Sequence, residues 1–265
     1  MAKIKIELND FNLFAEVLKS AVKIVDSAKI SVGPSGLEIY GARDKIARCE
    51  LASNCIISQE PIEFCLESLA MFNRIVSTVK EIHDGDYSEL KFIFDAPFLK
   101  FESKKFKTKY GTCGEAIIGK WVSKKVETAL IPIFEFTTTS DLIKRVNSHS
   151  FMFPDSKTVR VYVETKDDME SNAVFATLGN KENSLNNEIT TKLGLVTSGS
   201  LTPDGAVQPR KIILDLERLN LFNAVQAPEV KISLMNLNVL VSKSKILGKN
   251  GSWFDLTIYN TLLKS

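Results

Sequence analysis

Two stretches decide the fold: IEFCLESLAMFNRIV, Ile62–Val76, and IILDLERLNLFNAVQ, Ile212–Gln226. They align without a gap at an offset of 150. Six of the fifteen positions are identical: Ile62/Ile212, Leu66/Leu216, Glu67/Glu217, Leu69/Leu219, Phe72/Phe222 and Asn73/Asn223. Each opens as an alternating strand and continues as an amphipathic helix, so one structural unit is written twice. Similar openings stand at Ile6–Leu8 (IEL) and Phe134–Phe136 (FEF), so the four begin at 6, 62, 134 and 212.

A helix pattern follows each opening. Phe14, Val17, Leu18, Ala21, Val22 and Val25 form one apolar face after the first, and Leu69, Phe72, Ile75, Val76 and Val79 after the second. The third, TSDLIKRVNSHS, is shorter, with Ser140 or Asp141 as its cap; the fourth, LERLNLFNAVQ, is ended by Pro228. Three alternating strands follow every helix, the first group turning at Pro34-Ser35-Gly36. Four quarters of strand, helix and three strands make an α+β chain of two similar domains, with helices on one face of the sheets. The expected domains are 1–115 and 133–265, joined by an apolar crossover at 116–132. Polar, turn-rich segments near 180–209 read as a long hairpin loop and an exposed link.

Composition is that of an ordinary globular protein, 44% hydrophobic and 25% charged over 265 residues. A net charge of +2 excludes a global basic field, so any nucleic-acid binding comes from a local patch or is weak. No apolar run is long enough to span a membrane, and no signal-peptide core follows the N-terminus. Cys49, Cys55, Cys65 and Cys113 contain no CxxC pair and read as reduced core residues of a cytosolic or nuclear, unsecreted protein. No metal site or cofactor is expected, because His83 and His149 lie far from the cysteines. Nor is an enzyme expected. The chain has no glycine-rich phosphate loop, HExxH or GxSxG, and His149 near Asp141 and Ser148 is a chance grouping.

The helix faces turned from the core are mildly basic and rich in Asn and Ser. They offer Lys19 and Lys23, then Arg74 and Lys80, then Lys144 and Arg145, then Arg218. Glu16, Glu67, Asp141 and Glu217 stand near helix starts, where the macrodipole favours anions.

The hairpin GLEIYGARDKIARCEL, the helices LESLAMFNRI and LERLNLFNAV and the strand SWFDLTIYN together resemble the DNA sliding clamps. That family includes proliferating cell nuclear antigen and the clamps of T4-like phages, and the resemblance covers essentially the whole chain. It implies a clamp fold, three subunits closed into a ring, helices lining the hole, and the role of polymerase processivity factor. The basic helix residues would then face duplex DNA without reading sequence, and the partners would be DNA polymerase and clamp loader. Subunits would meet edge to edge, Lys105, Lys107, Lys109 and Tyr110 against Ala173, Phe175 and Thr177. Partner peptides would dock in a groove of Ala42, Arg43, Ile46, Ile131, Pro132, Val239, Ile258 and Tyr259. The alternative is a clamp-fold subunit of a heteromeric checkpoint or repair ring. The acidic tail of eukaryotic members is missing, and the lysine- and asparagine-rich sequence suits a phage or virus.

Overall fold

A computed structural model describes residues 3–43, 47–118, 130–154, 156–163, 173–179, 188–199, 211–236 and 239–261. Within them the strand, helix, three-strand order occurs four times. The first quarter is β1 (Ile4–Leu8), α1 (Phe11–Val22), β2 (Ala28–Gly33), β3 (Gly36–Arg43) and β4 (Ala47–Ser53). After a two-residue strand β5 (Ile56–Ile57) come β6 (Ile62–Leu66), α2 (Leu69–His83), β7 (Lys91–Asp95), β8 (Phe98–Glu102) and β9 (Lys107–Gly111). One helical turn, α3 (Glu115–Ile118), precedes the third quarter: β10 (Pro132–Thr138), α4 (Ser140–His149), β11 (Thr158–Val163), β12 (Ala173–Gly179) and β13 (Glu188–Gly199). The last is β14 (Lys211–Asp215), α5 (Leu216–Leu221), β15 (Val230–Met235), β16 (Val239–Leu247) and β17 (Trp253–Thr261). The architecture is α+β, built of antiparallel strands.

The chain divides into two compact units, Met1–Glu127 with Lys245–Thr257, and Thr128–Ser244 with Ile258–Ser265. In the first, β1 pairs with β7 in a sheet ordered β5-β1-β7-β8-β9, while β6 pairs with β2 in the order β6-β2-β3-β4. Each quarter therefore gives its opening strand to the other quarter's sheet. Neither quarter can satisfy its backbone alone, so the pair folds as one piece. The second unit repeats the exchange: β10 pairs with β15, and β14 with β11.

The helices form where the sequence spacing places them, and short polar side chains start them. Asp10 accepts from the Leu13 N–H, Ser68 from Met71, and Thr139 from Leu142. The cap of α4 is thus Thr139. Ser140, expected as a candidate, is buried and instead ties the helix to the segment after α5, donating to the Val225 carbonyl and accepting from the Ala227 N–H. The last helix is shorter than its pattern suggested. After Leu221 the chain tightens into i→i−3 bonds from Phe222, Asn223 and Ala224, which turns Phe222, Ala224 and Val225 inward.

An aromatic layer fills the first unit between α1, α2 and the β1-β7-β8-β9 sheet. Phe92 stacks on Phe101 with centroids 4.3 Å apart; Phe14 meets Phe92 at 5.9 Å and Phe72 at 6.5 Å. Each fully buried ring contributes about 1.5–3 kcal/mol, which fixes both helices on this sheet.

Candidate nucleic-acid and assembly surfaces

With their apolar stripes buried, α1 and α2 lie side by side and expose their polar faces around a shallow depression of about 650 Å³. Its charged lining is Lys19 and Lys80 against Glu16, Glu81 and Asp84. Glu16 sits in the middle of α1 rather than in its first turn, and both lysines approach its carboxylate at 3.9 Å. Such half-exposed pairs are worth about 0–1 kcal/mol, so either lysine can turn to another anion at little cost. Glu67 likewise precedes the cap of α2, whereas Asp141 and Glu217 do lie in first turns.

Lys23 and Arg74 are exposed in the first unit, as are Lys144 and Arg145 in the second. Arg218 is not. Its side chain is 12% exposed and its Nε donates at 3.2 Å to Asp215, the residue that ends β14 just before α5. The helix is short and Asp215 makes no cap bond, leaving that carboxylate free to hold the guanidinium. Arg218 therefore leaves the set of outward cations. Asn147 of α4 and Asn220 of α5 are joined by a 3.1 Å side-chain bond, so part of this polar face is internally paired.

Of the two strands expected to meet between subunits, only one is an edge. β9 pairs with β8 alone among the described residues. The Thr112 N–H donates to Pro97, and bonding direction alternates along an antiparallel strand. Thr108 and Tyr110 therefore point their backbone groups at β8, and Lys107, Lys109 and Gly111 point theirs outward. The Tyr110 side chain is also used internally, its hydroxyl donating to the Ser68 carbonyl at 2.8 Å and its ring lying 5.4 Å from Phe72. Lys105, Lys107 and Lys109 are exposed, with the Lys109 ammonium 4.1 Å from the centre of the Phe98 ring.

The other expected strand, containing Ala173, Phe175 and Thr177, is interior. β12 is paired on both sides, with β11 and with β13. Phe175 packs near Tyr162, and the Thr177 hydroxyl meets that of Thr190 at 2.7 Å. The reason is legible afterwards: AVFATL is a near-continuous apolar run, as strands buried on both faces require, whereas edges carry polar residues.

The strand edge lies next door. β13 pairs with β12 from Glu188 to Leu195 and with β10 from Leu195 to Gly199. Among the described residues, Glu188–Leu193 (EITTKL) therefore has a strand neighbour on one side only. Gly194 marks the changeover, since a Cβ there would lie 1.9 Å from the Thr137 carbonyl oxygen. A glycine inside a long strand pattern was the available signal. Beside this edge is a depression of about 590 Å³ lined by Leu142, Arg145 and His149 of α4 and by Thr190, Thr191 and Lys192. His149 Nδ1 lies 3.2 Å from the Thr191 hydroxyl, a contact that accounts for this histidine structurally.

The expected peptide groove is only partly present as exposed surface. Ile46 lies outside the described residues, as do Trp121, Val122 and Val126 of the crossover. Ala42 is buried beneath Ile118, in a cluster with Cys65 and Cys113. Ile258 is 1% exposed, on the inward face of β17 with Phe254, Leu256 and Asn260, so it is core and not groove. Arg43, Val239 and Tyr259 are half-buried. Ile131 is 63% exposed beside exposed Pro132, and its backbone is held by Asn236 through its N–H and its carbonyl. Cys49, Cys55 and Cys65 are buried free thiols, and Cys113 is half-buried. Among the described residues no group of His, Cys, Asp and Glu could hold a metal ion, and no helix is long and apolar enough to cross a membrane.

By sequence, no family model and no curated protein matches the chain. By structure, it is similar to proliferating cellular nuclear antigen from Entamoeba histolytica, with a TM-score of 0.69 at 15% identity and 100% of both chains covered. It is also similar to the proliferating cell nuclear antigen of A. fulgidus, solved with the C-terminal region of FEN-1 bound. There the TM-score is 0.71 at 11% identity, covering 100% of this chain and 99% of that one. Likeness over 99–100% of each chain means that the chain has the fold of these DNA sliding clamps.

Proposed function

We propose that the protein is a ring-shaped sliding clamp that encircles duplex DNA and tethers a replicative polymerase to it. The observation that carries this reading is the likeness to two clamps over 100% of this chain and 99–100% of theirs. Two features of this chain support it. The helix faces are polar and hold a few mobile cations rather than a strong basic field, as a protein that must slide without reading bases requires. And among the described residues two strand segments have a strand neighbour on one side only, β9 in the first unit and Glu188–Leu193 in the second. A head-to-tail ring of three identical chains would pair these edges, and thereby cover both. Lys107 and Lys109 would then approach Glu188, although Lys192 opposes them. Light scattering tests the ring: a mass near three times 29.5 kDa supports it, and a strict monomer at micromolar concentration overturns it.

DNA would be held by phosphate attraction of the kind that gives dissociation constants of about 10⁻⁴–10⁻⁶ M, with topology supplying the persistence. The α1–α2 depression carries two lysines against three carboxylates, so cations outside it supply most of the pull. Replacing Lys19, Lys23, Arg74, Lys80, Lys144 and Arg145 together by Ala is expected to flatten log K against log[salt]. Full engagement of six phosphates would correspond to about five units of slope, and a sliding ring touches fewer at once. Glu16→Gln is expected to act oppositely, strengthening DNA binding several-fold by releasing both lysines, on the order of 1 kcal/mol. An unchanged slope in the first variant would remove the helices from the DNA-facing surface.

For partner docking the exposed Ile131–Pro132 corner is the part of the expected groove that stands at the surface. A polymerase's C-terminal hydrophobic peptide seated there would bury apolar area at about 25 cal/mol per Å², sufficient for micromolar affinity and rapid exchange of partners. Ile131→Asp is expected to weaken that peptide more than tenfold in calorimetry, with the melting curve unchanged. Undiminished affinity would place docking elsewhere.

A further inference from the structure

We propose that Cys65 and Cys113 form a reversible dithiol–disulfide pair, closed by a small-molecule disulfide, that staples the end of edge strand β9 to β6. The two residues face each other across an isolated antiparallel bridge, where the Cys113 N–H donates to the Cys65 carbonyl at 2.9 Å. Directly opposed residues in such a pair put their side chains on one face, with Cα atoms about 5.5 Å apart. Disulfides span Cα separations of about 4.4–6.8 Å, so the backbone already stands at bonding range. An independent observation agrees: both side chains pack in one small apolar cluster with Ala42 and Ile118. The other two cysteines have no such arrangement. Cys49 stands opposite Gly41 on β3, and Cys55 is buried by the start of α1, its carbonyl accepting from the Asp10 N–H and its own N–H donating to the Ser53 hydroxyl.

The chemistry is ordinary thiol–disulfide exchange. Cys113, the more accessible of the two, attacks one sulfur of the small disulfide as its thiolate and expels one thiol. The Cys65 thiolate then attacks the Cys113 sulfur of the mixed disulfide and expels the second. Two electrons pass from the protein thiols to the oxidant, and their two protons leave on the two released thiols. Burial pushes the Cys65 thiol up to about 11 and raises Cys113 as well, so both are protonated and slow near neutrality. The pair thus stays open under reducing conditions and closes under sustained oxidation. Closing it draws together side chains across a hydrogen-bonded strand pair, which favours a readily reduced bond over a permanent one. Cys113 lies two residues beyond β9 and two before α3, so the bond fixes the point where the chain leaves that edge.

The test is to treat the full chain with excess glutathione disulfide at about pH 8.5, alkylate, and map the peptides. The expected product has lost two hydrogens and two of its four free thiols, contains a linked Cys65–Cys113 peptide, and reverts with dithiothreitol. Its formation is expected to quicken about tenfold per pH unit below the thiol range. Cys65→Ser is expected to hold one glutathione on Cys113 with no further loss of thiols. A stable glutathione adduct on the parent chain, a link between chains, a linked peptide containing Cys49 or Cys55, or four thiols surviving would each overturn the proposal.

Discussion

Replacing Ile258 with aspartate is expected to unfold the protein at neutral pH, although the sequence alone would place that residue in a binding groove. Ile258 is 1% exposed, and β17 buries every second residue from Phe254 to Asn260. Truncating a buried isoleucine costs about 2–5 kcal/mol through lost transfer energy and the cavity left behind. The substitution also places an unpaired carboxylate there, for a further penalty of several kcal/mol. Against a typical stability of about 5–15 kcal/mol, little folded protein remains. The pH dependence has a definite sign. A carboxyl in an apolar site has its folded pKa raised above the unfolded value of about 3.9, so the protonated form is tolerated better and the deficit grows as pH rises. Urea titration followed by circular dichroism decides the matter, with Ile131→Asp as the exposed control. An Ile258→Asp midpoint close to that of the parent would mean that the β17 face is not core.

The second large effect is expected from Lys109→Pro, which should turn a trimer into a folded monomer. Thr112 donates inward to Pro97, so alternation sends the Lys109 N–H outward, away from β8. Proline there removes an outward donor and leaves the β8–β9 ladder complete, an arrangement that edge strands tolerate. Solution mass is expected to fall to 29.5 kDa while thermal unfolding shifts by only a few degrees. Tyr110→Pro provides the contrast. It removes an inward donor from the ladder with β8 and should lower stability as well as assembly. A Lys109→Pro protein that remains trimeric would show that β9 is not the joining edge, whatever the other edge is.

The repeat, the helix faces and the strand count were readable from the chain because periodicity is a local property. Phe72 and Phe222, or Leu69 and Leu219, are buried at matching places since a stripe at 3.6-residue spacing has only one way to meet a sheet. Turn chemistry was equally local, as the Pro34-Ser35 turn between β2 and β3 illustrates. The cationic set was legible for Lys19, Lys23, Arg74, Lys80, Lys144 and Arg145, which remain at the surface. It failed for Arg218, which Asp215, the last residue of β14, holds at 12% exposure.

What only the tertiary structure decided is which strand neighbours which. Alternation along a strand says which face is buried and nothing about whether its two sides are paired, because every residue carries the same donor and acceptor. Ala173–Gly179 and Glu188–Leu193 both read as strands, and the sheet makes the first interior and leaves the second open. The exchange of β1 and β6 between neighbouring quarters is of the same kind, set by long-range pairing that no local pattern encodes. Cys65 and Cys113 likewise stand 48 residues apart in the chain and opposite each other in space. The sequence by itself determined the elements and their faces, through spacing and side-chain chemistry. Which strands are neighbours, and so which segments stand at an edge among the described residues, followed only from satisfying the backbone hydrogen bonds together.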